Sequence, residues 1–162
     1  MSSELQQLRA QHDRLRLLYE VSNVIHSSLD PHEALRLILG QAVGLMRASS
    51  GSIVLYNPTT RLLGIEASHG LPASAADLKL RLGEGITGWV AKHGRPARVG
   101  DVSRDQRYIM VRERVRSELA VPLEVRQEVR GVLNVDSDQL NAFSAEDEVL
   151  LQELAVLAAK VI

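Results

Sequence analysis

The stretch that decides the fold runs from Lys79 to Asp101 and reads KLRLGEGITGWVAKHGRPARVGD. It opens with apolar residues at alternate positions, which is the period of a half-buried strand. Three glycines follow. The next segment, Ile86 to His93, is predicted to be a two-turn helix that Gly94 ends and Pro96 keeps from resuming. Ala97 to Val99 is short enough for an edge strand. The sequence therefore predicts a glycine-rich turn that places a short helix, with the only Trp of the chain, between two strands.

Gly83, Gly85 and Gly88 also fit the G-x-G-x-x-G pattern of dinucleotide-binding loops. The context that this function needs is absent. The preceding strand is polar on one face, and the following helix is too short for a parallel crossover. No second strand ends in an acidic residue about 20 residues further on. We therefore interpret the glycines as positions for positive φ and close packing.

The composition narrows the class of protein. The 162 residues fit one domain with an extra helix, and 45% of them are apolar, which is enough for a core. A net charge of −1 argues against a nucleic-acid or membrane surface as partner. The sequence has no cysteine, which fits a reducing cytosol and excludes disulfides, thiolate metal sites and cysteine catalysis. It has no signal-peptide core and no run of transmembrane length, so we expect a cytoplasmic location.

Amphipathic helices are predicted at both ends of the chain. The first covers residues 4–28 and carries a seam that suits a short two-stranded coiled coil. The last runs from Ala145 to Ile162, with Ser144 as N-cap and Asp147 three residues on. The first seam consists of Leu5, Leu8, Leu15, Leu18, Val21 and Ile25, and the last stripe consists of Val149, Leu150, Leu154, Leu157, Ala158 and Val161.

Between these helices lie a second helix, which Asp30 caps, and two predicted antiparallel hairpins around the central stretch. The order of elements predicts an α+β fold. One antiparallel sheet of five or six strands is flanked by helices, and the N- and C-terminal helices form a bundle. The strands of the two hairpins are predicted at Ser52–Tyr56, Leu62–Ser68, Leu119–Val125 and Val129–Val135.

The order and spacing of several segments are similar to those of a known family. They are Gly83–Val90 with Gly94–Pro96, Val102–Asp105 with Tyr108, Ser117–Leu123 with Gly131–Val135, and Phe143–Glu148. Together they resemble the GAF domain family over about residues 17–162. The resemblance implies a small-molecule-sensing domain of a larger bacterial signal-transduction or transcriptional regulatory protein, usually not an enzyme. It also implies a ligand pocket between the sheet and residues 85–108.

We accordingly divide the chain into an N-terminal signalling and dimerisation helix at residues 1–28 and a GAF sensor domain at residues 29–162. The expected partners are a second copy, bound through the terminal helices, and a downstream output domain. Val161 and Ile162 lie inside an apolar helical stripe, so we expect this chain to be a fragment of a longer protein. A ligand-free dimerisation and relay module is the alternative function.

Departures from the family pattern narrow the ligand class. Bilin-binding members and the free methionine sulfoxide reductase type both use Cys, and this chain has none. Cyclic-nucleotide members carry an Asn-Lys pair and then Phe, three residues, Asp and Glu. Phe143, Asp147 and Glu148 are present, but Ser137 and Asp138 stand where Asn-Lys belongs. Half of the cyclic-nucleotide signature is therefore missing.

Six residues are candidates for ligand binding: Trp89, Thr87, Asp101, Tyr108, His69 and Ser117. Trp89 could roof a ligand or pack in the core. The hydroxyl groups of Thr87, Tyr108 and Ser117 and the carboxyl group of Asp101 offer the few polar contacts that a pocket needs among apolar walls. His69 follows a strand and could face the pocket or belong to an ordinary loop. Three arginines could bind an anion or form a solvated basic face, namely Arg104, Arg107 and Arg112.

Catalytic and metal-binding patterns are absent from the sequence. It has no G-x-S-x-G, no P-loop and no H-E-x-x-H, so we predict no catalytic residue. The five histidines do not pair at helical metal spacing, and nothing specifies a haem cavity. Asp136-Ser137-Asp138 lacks the Gly and distal Glu of a calcium loop and is interpreted as a turn. We predict no metal site and no certain cofactor, although a small-molecule ligand of unknown identity is expected.

Overall fold

An antiparallel sheet forms the middle layer of the molecule. The computed structural model describes residues 3–26 and 30–162, apart from the side chain of Val24. Within these residues the sheet has six strands in the order β3-β2-β1-β6-β5-β4, and every neighbouring pair is antiparallel. The predicted α+β fold is confirmed. The strands are β1 (Ser50–Asn57), β2 (Leu62–His69), β3 (Lys79–Arg81), β4 (Ala97–Val99), β5 (Ser117–Val125) and β6 (Glu128–Ser137).

Both predicted hairpins are present, and their strands are longer than the sequence indicated. In particular, β6 continues through Asp136 and Ser137, where the sequence was interpreted as a turn. That interpretation is wrong because Asp136 stays in the ladder, opposite Ser50 on one side and Glu118 on the other. Ser50 and Arg112 hydrogen-bond its carboxylate, which offsets the burial of a charge inside a strand.

Three helices cover one face of the sheet: α1 (Ser3–Ile25), α2 (Pro31–Leu45) and α4 (Ala145–Ala159). Asp30 caps α2 by accepting a hydrogen bond from the backbone of Glu33 at 3.0 Å. Ser144 and Asp147 form a reciprocal capping box at the start of α4. The predicted end of the first helix near residue 28 lies outside the described residues. None of the helices in the described ranges is both long and apolar enough to cross a membrane.

The larger core lies between these helices and the sheet. Val21 of the predicted coiled-coil seam is fully buried there beside Leu17, whereas Leu15 of the same seam is 68% exposed. Val149 of the predicted C-terminal stripe is 50% exposed. The other five residues of this stripe pack in the core, namely Leu150, Leu154, Leu157, Ala158 and Val161. The buried residues of α4 are Leu151, Leu154, Ala155, Ala158 and Ala159.

The central stretch covers the opposite face of the sheet. Helix α3 (Gly85–His93) follows the glycine-rich turn and ends at Gly94, which has a φ of 64°. Gly85 has a φ of 73°, and a Cβ added at Gly88 would lie 2.7 Å from the carbonyl oxygen of Arg81. The interpretation of these glycines as positions for positive φ and close packing is confirmed. A second, smaller core lies under α3 and leads into a cavity.

Candidate ligand site

A cavity of about 60 Å³ lies between the sheet and the segments that cover it. Helix α3 forms one side, and residues 105–116, which we call the covering segment, form another. Most of the wall is apolar, so a bound group would be largely removed from water. The apolar lining residues include Val54, Leu63, Ile65, Leu80, Ile86, Ile109 and Val115.

The polar part of the cavity is supplied by the central strands. Glu118 on β5 pairs with Asp136 on β6, and Asn134 lies two positions before Asp136 and therefore on the same face. Ser52 on β1 pairs with Asn134. All four line the cavity and are buried. Two of their atoms, Glu118 Oε2 and Asn134 Oδ1, have no hydrogen-bond partner in the described part of the chain.

Burial keeps Glu118 protonated at neutral pH. Desolvation is the largest cause, and with the negative charges of Asp136 and Asp105 it raises the pKa of Glu118 to about 8. The guanidinium of Arg107 acts in the opposite direction and does not offset them. Tyr108 also lines the cavity. Burial, followed by the charges of Glu118 and Asp136, raises the pKa of its hydroxyl to about 12, so this group remains a donor.

Arg112 fastens the covering segment to the sheet. Its guanidinium lies 2.7 Å from the Asp138 carboxylate and 3.3 Å from that of Asp136, and it donates a hydrogen bond to Ser50 Oγ at 3.0 Å. Burial works to lower the pKa of Arg112, but the hydrogen bonds to Asp138 and Asp136 outweigh it and raise the pKa. The guanidinium of Arg112 is therefore already paired with side chains of the protein.

A second attachment joins the covering segment to α3. The guanidinium of Arg107 lies 4.6 Å from the centre of the Trp89 ring and binds the Asp105 carboxylate through two nitrogens, at 2.9 and 2.7 Å. Trp89 also stacks on His93, with 4.6 Å between the ring centres. These contacts hold the start of the covering segment beside the cavity.

The structure brings two of the six predicted site residues to the cavity, namely Thr87 and Tyr108. Trp89 instead packs against Arg107 and His93. Asp101 accepts hydrogen bonds from Ser103 and caps a 3-10 turn, and His69 is exposed at the end of β2.

Ser117 lies on the opposite face of the sheet from its neighbour Glu118. It donates to the carbonyl oxygen of Gln139 and accepts from the backbone of Ala142. The sequence prediction did not include Glu118 or Asn134, and it treated Arg112 only as an anion ligand or a surface charge. The signal that could have found Glu118 and Asn134 is polarity at inward positions of otherwise apolar strands.

The arginines predicted as anion ligands each have a carboxylate nearby. Arg107 pairs with Asp105, Arg112 with two aspartates, and the exposed Arg104 lies 3.7 Å from Asp101. No group of three or more His, Asp or Glu side chains within residues 3–26 and 30–162 is placed to hold a metal ion.

Comparison with known proteins decides the family. The sequence matches the GAF domain over residues 28–162. The chain belongs to the GAF domain family. Among solved structures, the GAF domain from an Acinetobacter phosphoenolpyruvate-protein phosphotransferase superposes with a TM-score of 0.83 and 28% identity, covering 91% of each chain. The resemblance inferred from the motifs is confirmed.

Curated relatives of this GAF domain include regulators and enzymes. The chain is 32% identical over 130 residues to the Nif-specific regulatory protein of Azospirillum lipoferum, covering 75% of this chain and 21% of that protein. It is 30% identical over 87 residues to the free methionine-R-sulfoxide reductase of Escherichia coli (strain K12), covering 54% and 53% respectively. This chain thus spans only about a fifth of the length of its Nif-specific relatives.

Proposed function

We propose that this GAF domain is the small-molecule-sensing part of a larger bacterial regulatory protein, located in the cytoplasm. The similarity to a Nif-specific regulatory protein supports a regulatory role. The domain binds a ligand in its cavity and passes the ligand state to neighbouring domains through its terminal helices. We propose no catalytic activity. The reductase similarity does not supply one here, because the chain lacks cysteine and has no thiol to oxidise.

The observation that carries this proposal is the pair of unpartnered polar atoms in the cavity. A buried oxygen without a hydrogen bond costs about 1–3 kcal/mol, and such groups are rare in native proteins. Here Glu118 and Asn134 each contribute one, and both face the same enclosed space. A ligand that hydrogen-bonds to them would recover this free energy, which supports ligand binding in the cavity.

The relay rests on where the terminal helices lie. Arg14 of α1 pairs with Glu153 of α4, which ties the two helices together on the face of the sheet away from the cavity. Leu8, Leu15 and Tyr19 on α1 are at least 62% exposed and recur at spacings of seven and four. We propose that a second copy covers this stripe in a parallel dimer, as in a short coiled coil.

A ligand-free dimerisation and relay module remains the second candidate. The size of the cavity favours it, since about 60 Å³ is well below the several hundred Å³ of a typical metabolite pocket. Under this alternative the cavity holds only water, and the helical stripe carries the function by itself.

A thermal-shift panel separates the two functions. The panel contains cyclic nucleotides, 2-oxo acids, nitrate, purines and amino acids. A ligand at 100 times its dissociation constant adds about 3 kcal/mol of stability, which for this length raises the melting temperature by roughly 5–10 °C. Ser52→Leu, which fills the cavity, should abolish the shift. Ser68→Leu, at the exposed position opposite Ser52, should leave it unchanged.

Native mass spectrometry of freshly purified protein completes the test. A co-purifying small molecule that is absent from the folded Ser52→Leu variant would support sensing. If no compound of the panel raises the melting temperature and the protein mass shows no adduct, the sensing function is rejected and the ligand-free module remains.

A further inference from the structure

Two polar atoms of the cavity wall have no hydrogen-bond partner in the described part of the chain. The guanidinium of Arg112 in the covering segment already serves Ser50, Asp136 and Asp138. The atoms left over are Glu118 Oε2 and Asn134 Oδ1. Once Glu118 is ionised, both atoms are acceptors, and only a group with N–H or O–H donors can satisfy both.

The two acceptors are close enough for one ligand group to reach both. Glu118 pairs directly with Asp136, and Asn134 is the diagonal neighbour on the same face of the β5–β6 ladder. Diagonal neighbours in an antiparallel ladder have Cα atoms about 7–8 Å apart, within reach of long side chains. A compact group between the two side chains can therefore donate to each.

The charges around the cavity favour a ligand group of positive charge. With Glu118 protonated, the three carboxylates of Asp136, Asp138 and Asp105 are accompanied by the two guanidinium groups of Arg107 and Arg112, and ionisation of Glu118 adds a fourth carboxylate. An anion would add to this negative excess inside a poorly solvated space, whereas a cation would reduce it. The room for a ligand head is small, since about 60 Å³ corresponds to roughly four water molecules.

We propose that the cavity binds the ammonium group of a small primary amine, which donates hydrogen bonds to Glu118 and Asn134. This inference rests on the proposed sensing function and names the chemical class of its ligand. A primary ammonium has three N–H donors and no acceptor, so it matches a wall of unpartnered oxygens. The body of the amine lies against the apolar wall of the cavity.

Binding of an ammonium group would be coupled to release of a proton. Before a cation binds, the carboxyl of Glu118 is protonated at neutral pH, because burial first, and then Asp136 and Asp105, raises its pKa to about 8. The charged groups that act on this carboxyl are those two aspartates and Arg107 from the covering segment. Tyr108 also lines the cavity, and the charge of Glu118 contributes to the raised pKa of its hydroxyl. Since the cation favours the ionised carboxylate, its affinity increases with pH below 8.

The test is an NMR titration of backbone amides with methylammonium chloride in an amine-free phosphate buffer. Acetate and acetamide serve as anionic and neutral probes of similar size, and sodium chloride matches the ionic strength. We expect methylammonium to shift the amides of the cavity strands and to bind about tenfold more tightly at pH 7 than at pH 6. Glu118→Gln should weaken binding at pH 7.5 at least tenfold and remove its pH dependence. Glu124→Gln, an exposed substitution on the same strand, should change neither.

Absence of cavity shifts with methylammonium at pH 7.5 would overturn the inference, as would binding that ignores Glu118→Gln. If Glu118→Gln does not fold, the tenfold change between pH 6 and pH 7 in the wild type decides instead. The sensing function is judged separately. If the panel identifies a ligand that has no amino group and whose binding depends on the cavity, the sensing function stands and only the amine class is rejected.

Discussion

The stability of the protein should fall with pH because of Glu118. Its pKa is raised from the ordinary value of 4.5 to about 8 by burial, the largest cause, and by the charges of Asp136 and Asp105. Between these pH values the folded state holds a proton that the unfolded state has lost. The stability linked to this proton is fully present below pH 4.5 and is lost as the pH rises through 8.

The size of the loss follows from the two pKa values. Within this window each pH unit removes about 1.4 kcal/mol from the free energy of unfolding, so Glu118 alone removes about 3 kcal/mol between pH 5 and pH 7.5. With an m-value of about 2 kcal/mol/M, the urea midpoint falls by roughly 1.5 M. Glu118→Gln keeps the size of the side chain and removes the titration, so it should lack this loss and be more stable than the wild type at pH 7.5.

Urea unfolding at pH 5, 6, 7 and 7.5 measures the difference, with circular dichroism and the fluorescence of Trp89 as independent probes. Glu124→Gln is the matched control, since Glu124 is exposed on the same strand as Glu118. It should follow the wild type at every pH. A Glu118→Gln variant that loses stability in parallel with the wild type would show that this carboxyl is not buried in its neutral form, and the reasoning would be refuted.

Three further predictions concern the covering segment, the last helix and the assembly. Arg112→Ala removes the cationic partner of the buried Asp136 and should lower the free energy of unfolding by about 3 kcal/mol in urea. The exposed Arg114→Ala should cost far less, and equal losses would contradict the fastening role. Ser144→Ala breaks the capping box of α4 and should cost about 1 kcal/mol in thermal unfolding at pH 7, whereas no loss would mean that the cap is redundant. Light scattering should report a dimer at micromolar concentration that Leu15→Glu weakens at least tenfold; a monomer in both proteins would reject the stripe.

Most of the fold could be predicted because local signals agreed with one another. Asp30 and Ser144 sit immediately before apolar helical repeats, and both cap helices in the structure. Gly94 ends α3 in the left-handed conformation that its position after a short helix indicated. The residues at which strands and helices begin and end were harder to predict. Strand β6 runs on to Ser137 because Arg112, which comes 25 residues earlier in the chain, stabilises the buried charge of Asp136.

The site was only partly predictable, and the pair Ser117 and Glu118 shows why. Both are polar residues at the start of one strand, and alternation places them on opposite faces. Which face meets a cavity depends on what packs there, and that is decided by residues far away in the sequence. Ser117 meets the loop before α4, while Glu118 meets α3 and the covering segment. The sequence alone favours the serine, because a glutamate in a strand is usually exposed.

The same alternation gives the proposed relay a short physical route. Glu118 faces the cavity, and the adjacent Ser117 holds the loop at residues 139–142 through two hydrogen bonds. This loop leads directly to Ser144, the N-cap of α4. A ligand that changes the charge of Glu118 therefore acts on a strand whose other face fixes the start of a terminal helix. Because α4 is also tied to α1 through Arg14 and Glu153, a small displacement of β5 would reach both helices of the proposed dimer interface.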